Sequence, residues 1–383
     1  MKILLAPDSF KGSLSALDFC RIAEKTIKSL HPEYIVENLP LADGGEGTLD
    51  CLISALGGKK IECHVQNSLY EEIDVPVGFF DGYRTALIES ALSNGLPLIK
   101  GRENPLETST YGVGQMIAFA VDYGSKNIIL TLGGSSTNDC GLGMLAALGS
   151  CFYNKEGISF VPTGGTLSQV VDFDFSQMYP RLVGARIDAM CDVENPLCGQ
   201  FGASAVFAPQ KGADAKMVKI LEEGCCHIRD LFKKKLGHDF SEDKGSGAAG
   251  GIGFAVLSAL KGRLESGIDK VLDLCDFLQK VKNCDLIITG EGAFDSQSLM
   301  GKAVGGVIKK SCGKSVKVIC GRLCDDGVLR NLPENVQIFD MSRGQTLEYA
   351  MAHAEENLRR AVEGIFYKGD DGTSIKRDFL VTS

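Results

Sequence analysis

The chain has 383 residues, of which 44% are hydrophobic and 23% charged, and its formal net charge is −9. This composition is typical of a globular protein, and the length favours two domains. The negative charge and the lack of a long basic run argue against a nucleic-acid-binding protein. No apolar run reaches the roughly 18 residues that span a bilayer, which argues against a membrane protein.

The 14 cysteines bear on the cellular compartment. They form no Cys-x-x-Cys pair and, with the five histidines, no set that has the spacing of a zinc site. The first residues, MKILLAPD, are typical of a strand and not of a secretory signal. We therefore expect reduced thiols and a cytoplasmic protein.

The N-terminal segment predicts a strand at 2–6. It also predicts a helix at 16–30, because the apolar residues there recur at helical spacing. Asp8, Ser9 and Lys11 lie in the turn between them. Backbone N–H groups at the start of a helix attract anions, and a lysine adds positive charge. A capped turn explains the serine equally well, but it leaves Lys11 unfavourably placed at the positive end of the helix dipole.

A second predicted strand, 35–39, leads into the turn 41–48, which holds Asp43, Glu46 and three glycines. Glycines permit positive φ angles or a close approach of the backbone to a ligand. The two acids are equally compatible with a capping arrangement at the start of the next helix, 48–56. The recurrence of strand, glycines, acid and helix elsewhere in the chain favours a ligand site.

The segment 59–99 has a different pattern. It contains short strand signals without helices between them, and Asp81-Gly82 is typical of a hairpin turn. The segment predicts the edge of a separate domain with a mixed sheet.

A phosphate-binding loop is predicted after the buried strand 127–132. The residues that follow this strand are Gly133, Gly134, Ser135, Ser136 and Thr137. Glycine backbone and hydroxyl side chains can both donate hydrogen bonds to a phosphate. An ordinary turn capped by serine and threonine fits the same residues.

A loop acid is predicted at Asp192. Strand-like stretches near 182–191 end in a loop that carries Asp192, Asn195 and Pro196. Because the Asn-Pro pair stops any helix, Asp192 lies on a loop after a strand. It is either a functional carboxylate or an ordinary surface acid.

Two nucleotide-binding motifs are incomplete. Residues 245–250 spell G-x-G-x-x-G, but a charged segment precedes them where the dinucleotide-binding fold needs a strand. We expect a turn that packs against a helix beginning near Ile252. A dehydrogenase would rest on this misplaced motif alone and is therefore a weak interpretation. Gly313-Lys314-Ser315 ends like a P-loop, but Ile308 stands where the first glycine belongs.

The stretch 285–306 is the strongest candidate site. A buried strand ending at Ile288 runs into Glu291, Asp295 and Lys302. Ligands of open α/β sheets bind beyond the carboxyl ends of the strands. The alternative is that the two acids only cap the following helix and that the lysine lies in water.

The C-terminal part predicts two more buried strands, at 316–320 and 336–339. A last helix would place apolar residues from Leu347 to Ile365 on one stripe. The polar tail from Tyr367 is expected to be loosely held.

Six phrases of the chain resemble the class I glycerate kinases of bacteria. They are APDSFKGSLSA (6–16), LADGGEGTLD (41–50), LGGSSTNDCGLGML (132–145), DVENPLCGQFGASAVFAPQKGA (192–213), GSGAAGGIGFAVL (245–257) and ITGEGAFDSQSLMGKAV (288–304). The resemblance implies phosphorylation of D-glycerate by ATP with Mg²⁺, most often at the 2-hydroxyl. It also implies two α/β domains, one inserted into the other, with the site in the cleft between them.

The chain departs from the family pattern at three places. Ala293 follows Gly-Glu-Gly where the family usually has arginine, and Ser136 stands where alanine is usual. Cys320-Gly321-Arg322 replaces a more common turn of small residues. Arg322 is therefore a candidate to supply the charge that is lost at position 293.

We predict an α/β protein in which residues 1–58, 105–150 and 251–383 form a Rossmann-like domain with a doubly wound, mainly parallel sheet. Residues 59–104 and 151–250 are expected to form a mixed α/β domain inserted into it.

The expected ligands are ATP, Mg²⁺ and D-glycerate, with no nucleic acid or membrane partner. The predicted phosphate-binding residues are Ser9, Lys11 and the loop from Gly133 to Thr137. The predicted magnesium ligands are Asp43, Glu291 and Asp295. The predicted catalytic residues are Asp192, Lys11 and Lys302, and the predicted substrate-binding residues are Asp8, Asn195 and Arg322. A 3-phosphoglycerate product, or a non-catalytic ligand-binding protein on the same scaffold, is the alternative.

Overall fold

The computed structural model describes residues 1–45, 47–299, 301–324, 327–366 and 374–375. Glu46 and the tail from Tyr367 lie outside the described residues, apart from the short strand at 374–375. Within the described part, none of the helices has both the length and the apolar character needed to cross a membrane.

Strands and helices are numbered here in chain order. The strands of the described residues are β1 (Lys2–Leu5), β2 (Ile35–Asn38), β3 (Lys59–Gln66), β4 (Glu72–Phe80), β5 (Thr85–Glu89), β6 (Asn127–Thr131), β7 (Cys151–Tyr153), β8 (Ser159–Phe160), β9 (Asp172–Asp174), β10 (Arg186–Met190), β11 (Leu264–Glu265), β12 (Leu286–Phe294), β13 (Ser315–Leu323), β14 (Val336–Asp340) and β15 (Ser374–Ile375).

The helices alternate with these strands along much of the chain. The α-helices of the described residues are α1 (Ala16–Leu30), α2 (Thr48–Leu56), α3 (Ala91–Asn94), α4 (Tyr111–Asp122), α5 (Leu142–Ala147), α6 (Met178–Arg181), α7 (Ala203–Phe207), α8 (Ala215–Leu236), α9 (Ile252–Ser258), α10 (Gly267–Leu274), α11 (Phe277–Lys282), α12 (Ala303–Lys309), α13 (Leu347–Ala352) and α14 (Ala354–Phe366). Short 3₁₀ helices lie at Leu96–Ile99, Gly164–Gln169, Pro209–Lys211, Ala248–Gly250, Ser296–Leu299 and Val328–Asn331.

The chain divides into two compact units. Unit 1 comprises Met1–Asp43, Asp50–Gly57 and Ile268–Ser383, and unit 2 comprises Gly44–Leu49 and Gly58–Gly267.

These boundaries differ from the predicted domains. Residues 105–150 and 251–267 belong to unit 2, although the sequence analysis placed them in the Rossmann-like domain. The reason is strand pairing, because β6 lies between β5 and β10 in the sheet of unit 2. A buried apolar strand such as β6 does not show from its own sequence which sheet it joins.

Unit 1 is built on a six-stranded sheet in the order β2-β1-β12-β13-β14-β15. All neighbours are parallel except β15, which is antiparallel to β14. The chain moves outward from β1 to β2 on one side and from β12 through β13 to β14 on the other. The order of strands therefore reverses between β1 and β12, at the point where open α/β sheets bind their ligands.

Helix α1 shows how the apolar pattern builds unit 1. Ser15 caps the helix by accepting a 3.0 Å hydrogen bond from the backbone N–H of Asp18. Phe19 and Ile27 are fully buried in the core that also holds Ile288 of β12 and Leu358 of α14. Burying side chains of this size stabilises the fold by about 1.5–3 kcal/mol each.

Unit 2 contains a mixed six-stranded sheet in the order β11-β10-β6-β5-β4-β3 and a small antiparallel sheet of β8, β7 and β9. Strands β5, β6, β10 and β11 are parallel, while β3 and β4 pair antiparallel. The predicted hairpin is confirmed, since β4 and β5 pair antiparallel and both Asp81 and Gly82 have positive φ angles. The predicted α/β class, with one mainly parallel and one mixed sheet, is confirmed.

The G-x-G-x-x-G segment forms the predicted packing turn. A side chain at Gly247 would place its Cβ 2.2 Å from the carbonyl oxygen of Pro196. Helix α9 begins directly afterwards at Ile252. These glycines therefore permit close backbone packing within unit 2.

Candidate functional site

A cavity of about 460 Å³ opens in unit 1 at the carboxyl ends of β1, β12 and β13. This is the position at which the strand order reverses. The cavity is lined by Asp8, Ser9, Phe10, Lys11, Ser13, Asp43, Glu291, Gly292, Ala293, Lys302, Gly321, Arg322, Cys324, Met341, Leu347, Ala350 and Met351. It thus brings together residues from the first 43 positions of the chain and from its last third.

Asp8 is held where β1 passes β12. Its backbone N–H donates to the carbonyl of Gly290 at 2.8 Å, and its Oδ1 accepts the N–H of Ser9 at 2.7 Å. Burial, followed by the nearby carboxylate of Asp43, raises the pKa of Asp8 to about 7. Lys11 acts in the opposite direction, as do the N–H of Ser9 and the amine of Lys302.

Glu291 is the most buried acid of the cavity, with 6% of its surface exposed. The sequence analysis ended the strand before it, but β12 continues to Phe294, so Glu291 lies within the strand. Burial raises the pKa of Glu291 to about 7, while a hydrogen bond with Ser298 and the charge of Lys302 lower it. Its buried Oε1 has no hydrogen-bond partner among the described residues. Such an atom calls for a cation or donor that is not part of the chain.

The carboxylates of the cavity fit a magnesium ion. Mg²⁺ prefers carboxylate oxygen ligands, and Asp8, Asp43 and Glu291 all line the same cavity. The charge of Asp43 raises the pKa of Asp8, and the charge of Asp8 raises the pKa of Glu291, so Asp8 lies near both of the other acids. The unpartnered Oε1 of Glu291 is the strongest single sign that these residues could hold a cation.

Asp295, the third predicted magnesium ligand, has a different position. It is absent from the described residues that line the cavity. Its Oδ1 accepts the backbone N–H of Ser298 at 3.0 Å and so caps the 3₁₀ helix Ser296–Leu299. The capping alternative therefore applies to Asp295 but not to Glu291.

Three cationic side chains, those of Lys11, Lys302 and Arg322, line the same cavity as these acids. Lys11 is exposed on the turn closed by the bridge between Phe10 and Leu14, so it lies before the cap of α1 and not within its first turn. Lys302 is half-buried at the residue that precedes α12. Lys11 was predicted to bind phosphate and to act in catalysis, and Lys302 was predicted as a catalytic residue; both line this one cavity.

Arg322 lies beside the position at which the chain departs from the family pattern. It is the direct register partner of Ala293 across β12 and β13, and both residues line the cavity. A guanidinium on the neighbouring strand therefore stands next to the position where the family usually has arginine. This arrangement fits the predicted replacement of charge by Arg322.

Two glycines let β12 and β13 pair closely beside the cavity. A Cβ on Gly290 would lie 2.3 Å from the carbonyl oxygen of Ile319, and one on Gly321 would lie 2.5 Å from that of Gly292. Contacts this short are not tolerated between a side chain and backbone. Glycine is therefore required at both positions for the strands to pair.

One wall of the cavity is apolar, and the sequence analysis did not identify it. Leu347 and Met351 belong to α13, which ends at Ala352, and a separate helix, α14, starts at Ala354. The prediction of one continuous helix was wrong, because the helical conformation is interrupted at His353, between α13 and α14. Leu347 and Met351 face the cavity, while Leu358 of α14 is fully buried in the core.

The predicted phosphate loop after β6 uses its hydroxyl groups inside unit 2. Ser136 Oγ donates to the carbonyl of Asn94 at 2.7 Å, and the side-chain amide of Asn94 donates to Thr137 Oγ1 at 3.2 Å. Ser135, Ser136 and Thr137 are all buried, whereas Gly133 and Gly134 are exposed. The three side chains are thus placed as in the turn alternative, and only the glycine backbone faces solvent.

Lys211 holds this loop and was not identified from sequence. Its side chain is 2% exposed, and its Nζ donates to Ser135 Oγ at 3.0 Å and to the carbonyl of Thr137 at 2.6 Å. Burial lowers the pKa of Lys211 to about 7, while the nearby Asp139 raises it. The PQKG phrase that contains Lys211 was part of the resemblance, but only the fold shows its contact with a loop 76 residues earlier.

Four strand ends of unit 2 lie in one row. Glu89, Thr131, Met190 and Glu265 are register partners across β5, β6, β10 and β11. The carboxylate of Glu89 accepts the backbone N–H groups of Gly47 and Leu49 at 3.0 and 3.2 Å. This role of Glu89 was not predicted from sequence, and it ties Gly47 and Leu49 to the sheet of unit 2.

Asp192 follows this edge directly. It is exposed on the loop after β10, and its Oδ1 accepts the backbone N–H of Gly267 at 2.8 Å. Asn195, further along the loop, donates its side-chain amide to the carbonyl of Phe201 at 2.8 Å. The predicted position of Asp192, beyond a strand end on an irregular loop, agrees with the structure.

Comparison with known proteins decides the family. A sequence profile described as the glycerate kinase family matches residues 3–368. The chain belongs to the glycerate kinase family. The resemblance that the six phrases indicated is therefore confirmed, and the chain is an enzyme of this family.

Individual members of this family match the chain over nearly their whole length. The chain is 42% identical over 369 residues to a glycerate kinase of Bacillus cereus, covering 95% of this chain and 97% of the relative. It is 38% identical over 369 residues to the glycerate 2-kinase of Escherichia coli, with the same two coverages.

A solved structure shows the same fold. A crystal structure assigned to glycerate kinase 2 of Salmonella typhimurium LT2 matches with a TM-score of 0.82 and 34% sequence identity. The match covers 95% of this chain and 97% of that one.

Proposed function

We propose that the enzyme transfers the γ-phosphate of Mg²⁺·ATP to the 2-hydroxyl of D-glycerate in the cytoplasm, giving 2-phosphoglycerate. The name of the Escherichia coli relative, glycerate 2-kinase, supports the 2-position. The 14 cysteines of the chain, none of which is in a disulfide among the described residues, fit a reducing compartment.

The observation that carries this proposal is the cavity of unit 1, which is lined by both acids and cations at the reversal of strand order. Phosphoryl transfer needs a metal on the phosphates, positive charge on the transferring group and a carboxylate for the attacking hydroxyl. Asp8, Asp43 and Glu291 would hold Mg²⁺, which neutralises charge on the phosphates when bound. Lys11 and Lys302 would contact phosphate oxygens.

We assign the nucleotide to this cavity because of its size and its apolar wall. D-Glycerate is a three-carbon acid, whereas about 460 Å³ is in the range of pockets that bind much larger ligands. Met341, Leu347 and Met351 offer an apolar surface for the adenine base. The acids and lysines of the same cavity would then meet the triphosphate.

Two further proposed roles belong to residues of unit 2. Asp192 is proposed as the base for the glycerate hydroxyl, because its exposed carboxylate lies beyond the edge formed by β5, β6 and β10. In the loop after β6, the exposed backbone of Gly133 and Gly134 is proposed to bind an anion. The hydroxyls of that loop are proposed to have a structural role.

A coupled assay tests the proposed product. The enzyme is mixed with ATP, Mg²⁺ and D-glycerate, and product is detected with enolase, which accepts 2-phosphoglycerate and not its 3-isomer. We expect a signal without any mutase present. A signal that needs added phosphoglycerate mutase would indicate 3-phosphoglycerate, and no signal in either mixture would refute a glycerate kinase.

Replacing Lys11 by alanine is expected to lower turnover at least about tenfold, because a lysine that neutralises phosphate stabilises the transition state. The melting temperature should stay nearly unchanged, since the side chain is exposed. Lys309→Ala, which removes another exposed lysine of unit 1, is the control. Turnover within twofold of the wild type would assign Lys11 to an ordinary capped turn.

Replacing Met351 by glutamate is expected to raise the KM for ATP by about tenfold or more, because a carboxylate on the apolar wall disfavours an apolar base. The KM for D-glycerate should change by less than about twofold. Leu278→Glu, at an exposed position of α11 away from the cavity, is the matched control. A rise confined to the KM for D-glycerate would contradict the assignment of the nucleotide to this cavity.

A further inference from the structure

A second cluster of metal-ligating side chains lies in unit 2, on helix α8 and the loop before α7. The Sγ atoms of Cys198 and Cys226 and a carboxylate oxygen of Glu222 all lie within 4.8 Å of one another. None of these residues belongs to the cavity of unit 1 or to the proposed kinase site. Sequence spacing did not reveal the cluster, because one ligand is a carboxylate and Cys198 is distant from the other two in the chain.

The fold already arranges these three side chains around one point. Glu222 and Cys226 are one helical turn apart on α8, so their side chains share a face. The backbone N–H of Gly199 donates to Glu222 Oε1 at 2.6 Å, which fixes the loop of Cys198 against the helix. Cys226 Sγ lies 3.6 Å from the same Oε1.

One ligand atom of the cluster has no partner. Glu222 Oε2 is buried and makes no hydrogen bond within the described part of the chain. A buried carboxylate oxygen without a partner is costly. A bound cation would supply the missing interaction.

The chemistry of the donors selects the metal. Thiolate ligands favour Zn²⁺ over Mg²⁺ and Ca²⁺, which prefer oxygen. Two thiolates and a carboxylate carry three negative charges, of which Zn²⁺ neutralises two. The guanidinium of Arg229, which pairs with Asp230 at 2.8 Å, also interacts electrostatically with both cysteines and adds positive charge near them.

Cys225, which directly precedes Cys226 in the chain, and Cys140 are not part of this cluster. Cys225 faces the core, where its Sγ lies 3.5 Å from that of Cys140 and both residues are fully buried. Glu222 and Cys226 are only half-buried, so an ion can reach them from solvent.

We propose that Cys198, Glu222 and Cys226 bind one Zn²⁺ ion. Three protein ligands leave one of the four tetrahedral positions for water or an added ligand. This site is separate from the proposed magnesium site in ligand type and in its place in the fold.

The test uses the full chain, purified under a non-thiol reductant and stripped of metal. ZnCl₂ is titrated against a chromophoric chelator of known affinity. We expect one tight equivalent in the wild type, and Glu222→Gln and Cys226→Ser are each expected to weaken it by more than about 100-fold. Cys312→Ser, which removes an exposed cysteine of unit 1, should bind zinc like the wild type.

Cobalt gives a second readout. Co²⁺ bound by thiolates shows a sulfur-to-metal charge-transfer band in the near ultraviolet, which we expect in the wild type and not in Cys226→Ser. Glu222→Gln preserves the shape of the side chain, so it tests the site even if Cys226→Ser folds poorly. A wild type that takes up no tight zinc, or Glu222→Gln binding zinc as the wild type does, overturns the proposal.

Discussion

Replacing Asp192 by asparagine is expected to lower turnover by about 10²–10⁴-fold, the range for loss of a positioned base. An alcohol has a high pKa, so the neutral hydroxyl of D-glycerate attacks poorly unless a carboxylate orients it and accepts its proton as the phosphoryl group transfers. Affinity for ATP and for D-glycerate should stay within several-fold of the wild type, because asparagine has the same size and shape.

The structure explains why asparagine is the right replacement. The Oδ1 of Asp192 accepts the N–H of Gly267 at 2.8 Å, and an asparagine oxygen can accept the same hydrogen bond. The loop should therefore keep its conformation while the base is lost. Glu194→Gln, an exposed acid two residues later that pairs with Lys244, is the matched control.

Steady-state kinetics and calorimetry together separate the alternatives for Asp192. If binding of D-glycerate collapses while turnover at saturation survives, the residue holds substrate or metal and is not the base. If neither changes, Asp192 is an ordinary surface acid, and the base must be sought among the acids of the unit 1 cavity.

Replacing Glu291 by glutamine is expected to lower turnover by more than about 100-fold and, at neutral pH, to stabilise the protein without ligands. Activity falls because the proposed magnesium site loses a charged ligand. Stability rises because an ionised, largely buried carboxylate with an unpartnered oxygen is replaced by a neutral amide.

The pH dependence of this gain follows from the raised pKa. The pKa of Glu291 rises from 4.5 to about 7 in the folded protein, so between these values the folded state binds more protons than the unfolded state. The contribution of Glu291 to stability is therefore fully present below pH 4.5 and is lost as the pH rises through 7. The free energy of unfolding of Glu291→Gln relative to the wild type should increase from pH 5 to pH 7.5, by up to about 3 kcal/mol.

Urea denaturation at the two pH values measures this difference. Glu334→Gln, which changes an exposed acid of unit 1, is the control and should show no such trend. Added Mg²⁺ should stabilise the wild type at pH 7.5 much more than Glu291→Gln. A glutamine variant that is less stable than the wild type at pH 7.5, or equal stabilisation of both proteins by Mg²⁺, would argue against Glu291 as a buried metal ligand.

The edge of the unit 1 sheet could be predicted from sequence because its signals are local. Buried apolar runs mark β1 and β12; Lys11 follows β1, Glu291 lies near the end of β12, and Lys302 lies before the next α-helix. Parallel strands bring their carboxyl ends to one edge, so acids and lysines far apart in the chain meet in the cavity. Strand length was the local error, since continued pairing with β13 extends β12 past Glu291.

Features that depend on distant contacts could not be predicted in the same way. The side chains of the loop after β6 turn inward because Asn94 binds Thr137 Oγ1 and Lys211 binds Ser135 Oγ, and neither partner is near in sequence. The sheet that β6 joins is likewise decided by its neighbours β5 and β10. The apolar wall was not predicted because the apolar residues from Leu347 to Ile365 follow one helical pattern in the sequence. In the structure the helix is interrupted at His353, which separates α13 from α14.

The position of the new phosphate ester tests the central claim most directly. A ³¹P NMR spectrum without proton decoupling is recorded after the enzyme has acted on D-glycerate with ATP and Mg²⁺, beside a sample that contains L-glycerate. The phosphorus of 2-phosphoglycerate couples to one ester proton and gives a doublet, whereas that of 3-phosphoglycerate couples to two and gives a triplet. We predict a doublet that grows as ATP is converted to ADP and that depends on D-glycerate. A triplet would contradict transfer to the 2-hydroxyl, and loss of ATP without any new ester signal would contradict the kinase itself.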